Sequence, residues 1–157
     1  MKVYLGPYED NHPRDIDIVI DPYDSWNADA TIAIIAAPLL EQLRKEKHGC
    51  ANVEDEDVPE YLRSYNAPPK EHVYDIDDNY IARYDWMLRE VIWALNEVAN
   101  GYPEEKSYFH HNPVPDNATF QQQIDAIDVD TEGFDKYESR LQKALTLFGK
   151  YLRTFWD

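Results

Sequence analysis

The chain has 157 residues, with 15 basic and 31 acidic side chains and a formal net charge of −16. This length suits one domain with a real core, and a hydrophobic content of 43% argues against a disordered chain. The negative field excludes binding to duplex nucleic acid through phosphates, and no apolar run approaches the roughly 18 residues of a membrane span. A single cysteine, Cys50, excludes an intramolecular disulfide, and the N-terminus is too short and polar for a secretory signal. We therefore expect a soluble protein of a reducing cytoplasm.

Two strands are predicted near the N-terminus. Residues 2–5 form a short β-like run that the turn signal Gly6-Pro7 ends. Residues 15–21 alternate isoleucines with acids, so that Ile16, Ile18 and Ile20 share one face. This alternation predicts a strand with its isoleucine face on the core and its acidic face in water.

The first long helix is predicted over residues 28–47, after several possible N-caps. Apolar residues recur at helical spacing, and cations at positions 44, 45 and 47 suit the negative end of the helix dipole. Pro38 lies inside this span, and we expect a kink or break there because proline lacks the amide donor. Residues 50–74 then form a long irregular connection, with a short helical turn over residues 59–64.

A second long helix is predicted over residues 75–100, where an apolar stripe follows acids that complement the helix start. Residues 101–118 contain three prolines and predict a loop, and residues 119–129 predict a third strand, although Gln121 to Gln123 leave its start ambiguous. From Thr131 a helical stripe extends almost to the C-terminus. The chain is thus predicted to be a single α+β domain over residues 1–157, with a small sheet of about three strands covered by two or three long helices.

The sequence contains no strong catalytic motif, because it lacks a phosphate-binding glycine loop, a nucleophile elbow and paired cysteines. We predict no catalytic residue, no metal site and no cofactor. The acids at residues 54–57 indicate a solvated loop, and those at residues 75–78 indicate helix capping. A nucleotide hydrolase that uses Asp21, Asp24 or Asp78 with a metal ion remains an open alternative.

The few cations gather at the ends of the first and last helices, on an otherwise acidic chain rich in tyrosine. Cations beside aromatic rings can hold a nucleotide, with the rings on the base and the cations on phosphate. The candidate stacking residues are Tyr4, Tyr8 and Trp26, and the candidate phosphate-binding residues are Lys45, Arg63, Lys150 and Arg153. The alternative is a solvated cationic helix end.

Several segments resemble a family of small uncharacterised bacteriophage proteins: residues 1–8, 21–26 (DPYDSW), 47–49, 55–63 (DEDVPEYLR), 83–86 (RYDW) and 147–151 (LFGKY), with the terminal Trp156-Asp157. The resemblance covers most of the chain. It implies a phage accessory protein that acts in the host cytoplasm. It does not imply any particular activity or any site residue.

The leading hypothesis is a non-enzymatic binder that sequesters a small nucleotide-type immune signal of the host, an anti-defence role, and we expect a homo-oligomer. A second hypothesis is an acidic protein–protein inhibitor or nucleic-acid mimic that binds a host protein through residues 54–60. A third is a component of virion assembly.

Overall fold

Three long helices form the centre of the molecule in the computed structural model, which describes residues 1–10 and 12–156. They are α1 (Ala28–Glu46), α2 (Tyr80–Ala99) and α4 (Thr131–Tyr151), and a short helix α3 (Phe120–Asp125) precedes α4. The predicted bounds of the first helix are confirmed to within one residue. The last helix begins at Thr131 as predicted but ends at Tyr151, before a 3₁₀ turn at Leu152–Thr154. Helix α1 runs through Pro38 without the predicted break.

Helix α2 is the axis of the core, because its apolar residues are spaced to face both neighbouring helices. Tyr84, Met87, Leu88 and Val91 are at most 1% exposed. Helix α1 contributes Ala33, Ala37 and Leu40 to the same core, while α4 contributes Leu147 and Tyr151. Small side chains on α1 let it approach α2 closely, and burial of these apolar groups is the main source of stability.

Both flanking helices run antiparallel to α2. Arg44, in the last turn of α1, bonds Asp85 near the start of α2, whereas Tyr137, early in α4, bonds Glu97 near the end of α2. The last turns of α1 and α4 therefore lie at the same end of the bundle as the first turn of α2. We call this the basic end, and we call the opposite end, where α1 begins, the hairpin end.

Four short strands form two separate antiparallel pairs. Strand β1 (Lys2–Leu5) pairs with β2 (Ile16–Val19), with Lys2 opposite Val19, and β3 (Phe109–His111) pairs with β4 (Ile127–Val129), with Phe109 opposite Val129. The α+β class is confirmed. The strands differ from the predicted three-stranded sheet because the three helices already enclose the core, so no sheet is needed as a second layer.

The predicted third strand over residues 119–129 is wrong for most of its length. Thr119 accepts a hydrogen bond from the Gln122 amide, and the Gln122 side chain accepts one from the Thr119 amide, which starts α3 with a capping box. Only residues 127–129 form a strand, and its partner β3 lies in the predicted loop over residues 101–118.

The isoleucine face of β2 is not on the core, which corrects the sequence prediction. Ile16 and Ile18 are 65% and 54% exposed. The Met1 ammonium, 2.7 Å from Asp24, holds the base of the hairpin to the turn before α1, and Arg14 closes the loop end by donating to the Gly6 carbonyl at 2.7 Å. Both strands of the β1–β2 hairpin therefore stay exposed along their whole length.

The connection between α1 and α2 contains three short 3₁₀ turns, at Asp55–Asp57, Glu60–Leu62 and Ser64–Asn66, in place of the single turn predicted over residues 59–64. Helix α2 begins at Tyr80, five residues later than predicted, because Asp75 and Asp77 accept backbone amides of the preceding turns. Within residues 1–10 and 12–156, no helix has the length and apolar character needed to cross a membrane.

Candidate functional site

The predicted ligand-binding residues divide between the two ends of the bundle. Tyr4, Tyr8 and Trp26 lie at the hairpin end and are 59%, 77% and 83% exposed. Lys45 is in the last turn of α1, and the 19 residues of this helix span about 28 Å. One chain therefore does not bring the predicted rings and the predicted cations to a single small ligand.

The four predicted cations share the basic end. Lys45 is exposed in α1, and Arg153 is exposed in the 3₁₀ turn that follows α4. Arg63 donates to the Tyr65 hydroxyl at 3.0 Å, next to the start of α2. Lys150 donates to Asp57 at 2.6 Å, and this hydrogen bond holds the pKa of Lys150 above its usual range.

The acidic segment at residues 54–57 packs on the end of α4, so the predicted solvated loop is confirmed for the exposed Glu54 and Glu56 but not for the half-buried Asp55 and Asp57. The Glu54 amide donates to the Tyr151 hydroxyl at 2.9 Å, and that hydroxyl donates to Asp57. Asp55 accepts the Ser64 amide at 2.7 Å. Part of the positive charge at the basic end is therefore neutralised within the fold.

A buried ion pair lies beside this segment. Arg83 and Asp77 are 3% and 7% exposed, and two hydrogen bonds of 2.7 and 2.8 Å join them side by side. The bonds from Arg83 hold the pKa of Asp77 below its usual range. The pair borders a polar pocket of about 450 Å³ between residues 52–56 and the start of α2.

Sequence analysis did not predict this pair, because it interpreted Asp77 as an acid that complements the positive end of the α2 helix dipole. A signal was present, since Arg83 directly precedes Tyr84 in the apolar stripe of α2, where a charged residue requires a partner. The Nε atom of Arg83 has no hydrogen-bond partner among the residues that the structure describes.

Three cations converge on one carboxylate at the basic end. Asp85 accepts two hydrogen bonds from Arg44, at 2.9 and 3.2 Å, and lies 3.5 Å from Lys47 and 3.3 Å from Arg89. Burial disfavours ionisation of Asp85, but Arg44 outweighs it and keeps the pKa of Asp85 below its usual range. The cluster retains an excess of positive charge and can attract an anion.

An apolar groove of about 440 Å³ lies between α1 and the end of α4, and we call it the basic-end groove. Its polar border consists of Gln42, Glu46 and Lys47, and Lys47 also belongs to the Asp85 cluster. The rings of Phe148 and Phe155 stack with centroids 5.9 Å apart and planes at 22°. The apolar lining comes mainly from Ala36, Leu39 and Leu43 of α1 and from Phe148, Leu152 and Phe155.

This groove is the best candidate for a small-ligand site, because its volume lies within the usual range for ligand pockets and its lining is mostly apolar with few polar groups. Its phenyl rings and its lysine supply the ring-plus-cation arrangement that the sequence predicted. The participating rings differ from the prediction, since Phe148 and Phe155 take the place of the distant tyrosines and Trp26.

Two of the three carboxylates proposed for a metal-dependent hydrolase, Asp21 and Asp24, act as local caps, and Asp78 is exposed. Asp21 accepts the Tyr23 amide at 2.9 Å, and Asp24 accepts the Asp21 amide at 2.8 Å. Over residues 1–10 and 12–156, no three histidine, cysteine or acidic side chains are grouped as metal ligands.

No protein-family model, no curated protein and no solved structure matches the chain.

Proposed function

We propose that the protein is a non-enzymatic binding protein for a small anionic molecule with a ring system, of the nucleotide type. The basic-end groove carries this proposal, because its stacked phenyl rings and aliphatic wall adjoin a cluster of cations. Its volume of about 440 Å³ suits a nucleotide rather than a macromolecule.

The groove has separate surfaces for the two parts of such a ligand. A base can pack against the Phe155 ring and the aliphatic side chains of α1, which removes apolar surface from water. Phosphates can then lie toward Lys47, and the exposed Arg153 directly follows the groove residue Leu152. On a chain with a net charge of −16, this local excess of cations gives an anion a preferred place to bind.

The biological role that fits this site is sequestration. A phage accessory protein that binds a nucleotide-type immune signal in the host cytoplasm lowers the free concentration of the signal without a chemical step. The resemblance to small phage proteins supports this setting, and the groove supports the binding chemistry.

The acidic-inhibitor hypothesis has less support from the geometry. An acidic mimic needs carboxylates that face a partner, yet Asp55 and Asp57 bond Ser64 and Lys150 within the chain. Glu54 and Glu56 are the exposed members of the segment, and the Glu56 side chain is 80% exposed. A role in virion assembly stays a prediction that mass spectrometry of purified particles can test.

Titration calorimetry against a panel of linear and cyclic nucleotides tests the proposal. We expect heat with at least one of them, and we expect L152E to weaken that binding about tenfold or more, because it places a carboxylate in the groove. Leu152 is 56% exposed, so the substitution spares the core.

The matched control is I124E, which places the same charge on the 46% exposed Ile124 of α3 and is expected to bind normally. Bound nucleotide should be recovered unchanged after heat release, which separates binding from hydrolysis. The absence of heat with every member of the panel contradicts the proposal.

A further inference from the structure

The polar border of the basic-end groove contains a carboxylate that the fold does not use. Gln42 and Glu46 both line the groove, and their spacing of one helical turn places them on the same side of α1. Within the part of the chain that the structure describes, neither side chain forms a hydrogen bond or an ion pair. Lys47, in contrast, donates to the Arg44 carbonyl at 3.3 Å and lies 3.5 Å from Asp85. The groove therefore offers a ligand an unpaired carboxylate beside a lysine that is already engaged.

The stability of α1 does not explain Glu46. This residue ends the helix, where the partial negative charge of the helix dipole disfavours an acid. Arg44 and Lys45, in the same turn, have the sign that the dipole favours. Neither the dipole nor an ion pair within the described chain accounts for a carboxylate at this position, whereas a ligand with N–H donors does.

We infer that Glu46 makes the basic-end groove selective for guanine among the common nucleobases, an inference that rests on the proposed function. Guanine presents two adjacent donors on its Watson–Crick edge, the N1–H group and the N2 amino group. A carboxylate has two acceptor oxygens and no donor, so the carboxylate of Glu46 can accept both. Hydrogen bonds to an ionised acceptor are roughly twice as strong as bonds between neutral groups.

The other common bases lack this pair of donors. Adenine and cytosine place an amino group beside a ring nitrogen that is an acceptor, and uracil places its N–H group between two carbonyl oxygens. Each of these bases sets a lone pair against the second oxygen of Glu46, and a polar group without its partner is a strong basis for discrimination between similar ligands. Hypoxanthine keeps the N1–H group but lacks the amino group, so it can form one of the two hydrogen bonds.

The remaining groups of the groove suit the rest of a guanine nucleotide. The amide of Gln42, one turn before Glu46, can donate to the O6 carbonyl, which is next to N1–H on the base. Leu152 and the ring of Phe155 provide apolar surface against which the base can pack. The charge of Glu46 repels phosphate, so we expect the base rather than the phosphate beside it, with the phosphate toward Arg153.

Titration calorimetry with GMP, IMP and AMP tests the selectivity. The three nucleotides share one ribose phosphate, so the ratios of their dissociation constants report on the base. We expect GMP to bind about tenfold more tightly than IMP, because IMP lacks one hydrogen bond to a charged group. AMP should bind more weakly than IMP, because it lacks the N1–H group as well. Equal dissociation constants for GMP and AMP overturn the inference.

The substitution E46Q tests whether Glu46 reads the base. An amide offers one donor and one acceptor, which match adenine, so we expect the preference for GMP over AMP to be lost or reversed. E46Q also removes a negative charge and so favours all three nucleotides, which is why the ratio of dissociation constants is the readout. Glu46 is exposed, so the variant should keep the native helicity. The matched control is E71Q, which removes the same charge at an exposed position outside the groove lining and should keep the native ratio.

Failure of this inference and failure of the proposed function give different results. If the native chain binds GMP and AMP equally well, or if E46Q keeps the native ratio, the role of Glu46 is overturned while the proposed function stands. If the native chain binds none of the three nucleotides and gives no heat with the wider panel, the proposed function and the selectivity fail together.

Discussion

Helices α1 and α2 have nearly equal lengths, 19 and 20 residues, yet they are covered very differently. Ten residues of α2 are buried, against three of α1. Helix α2 has a neighbour on both sides, whereas α1 buries a narrow face of small residues and leaves its largest aliphatic side chains in solvent. The difference shows that packing within the chain constrains nearly every turn of α2 but only a narrow face of α1.

The largest expected effect comes from the ion pair at the start of α2. D77A leaves the buried Arg83 guanidinium without its carboxylate, and we expect the free energy of unfolding to fall by about 3–5 kcal/mol. Urea denaturation measures this change. D78A removes an exposed carboxylate one residue away and should change stability by less than about 0.5 kcal/mol. Equal effects from the two substitutions contradict the structural role of the pair.

The free energies of unfolding of two leucine variants test the comparison of the two helices. L88A opens a cavity at a fully buried position of α2, and we expect a loss of about 2–5 kcal/mol. L39A removes the same atoms from a position of α1 that is 65% exposed and should cost less than about 0.5 kcal/mol. A cost of L39A equal to that of L88A contradicts the difference in coverage between the two helices.

The helices could be predicted from the sequence because their signal is local. The spacing of apolar residues and the Asp130 cap, which accepts the Gly133 amide at 2.9 Å, define α4 within one segment of chain. Thr119 and Gln122 also form a capping box that the sequence displays, so the strand predicted there was an avoidable error. The alternation in β2 correctly predicted a strand, but it carried no information about what covers the isoleucines.

The candidate site was less predictable, because its contacts join distant residues. Lys150 and Asp57 are 93 positions apart, and Arg44 and Asp85 are 41 apart. Sequence analysis grouped Lys45, Arg63, Lys150 and Arg153 as phosphate-binding residues, and that role stays a prediction. It could not foresee that an acidic segment neutralises part of that region or that the predicted rings lie at the far end of α1.

Pro38 offers a way to strengthen α1 without changing its buried face. Proline inside a helix removes one backbone hydrogen bond and crowds the preceding turn, at a cost of about 3 kcal/mol, and Pro38 is exposed. We expect P38A to raise the free energy of unfolding by about 1–3 kcal/mol. Q42A, an exposed substitution in the same helix, serves as the control. A loss of stability in P38A indicates instead that Pro38 gives α1 the shape that fits α2.

The smallest expected effect concerns the hydrogen bond between Tyr151 of α4 and Asp57 of the acidic segment. Burial, together with the hydrogen bond to Asp57, raises the pKa of Tyr151 to about 12. Because this pKa is above that of the unfolded chain, the phenol contributes stability that is fully present below about pH 10 and is lost as the pH rises toward 12. Y151F should cost about 1 kcal/mol at neutral pH and should flatten the alkaline decline in stability.

Two features separate this effect from general alkaline unfolding. Burial also raises the pKa of Tyr137, which Y151F retains, so part of the decline should persist. Y23F, at a position that is 78% exposed, should leave the decline unchanged. If Y151F shows the same alkaline decline as the native chain, the Tyr151–Asp57 bond does not hold the acidic segment on α4. In that case the carboxylates of residues 54–57 are free to face a partner, and the acidic-inhibitor hypothesis regains the surface that it requires.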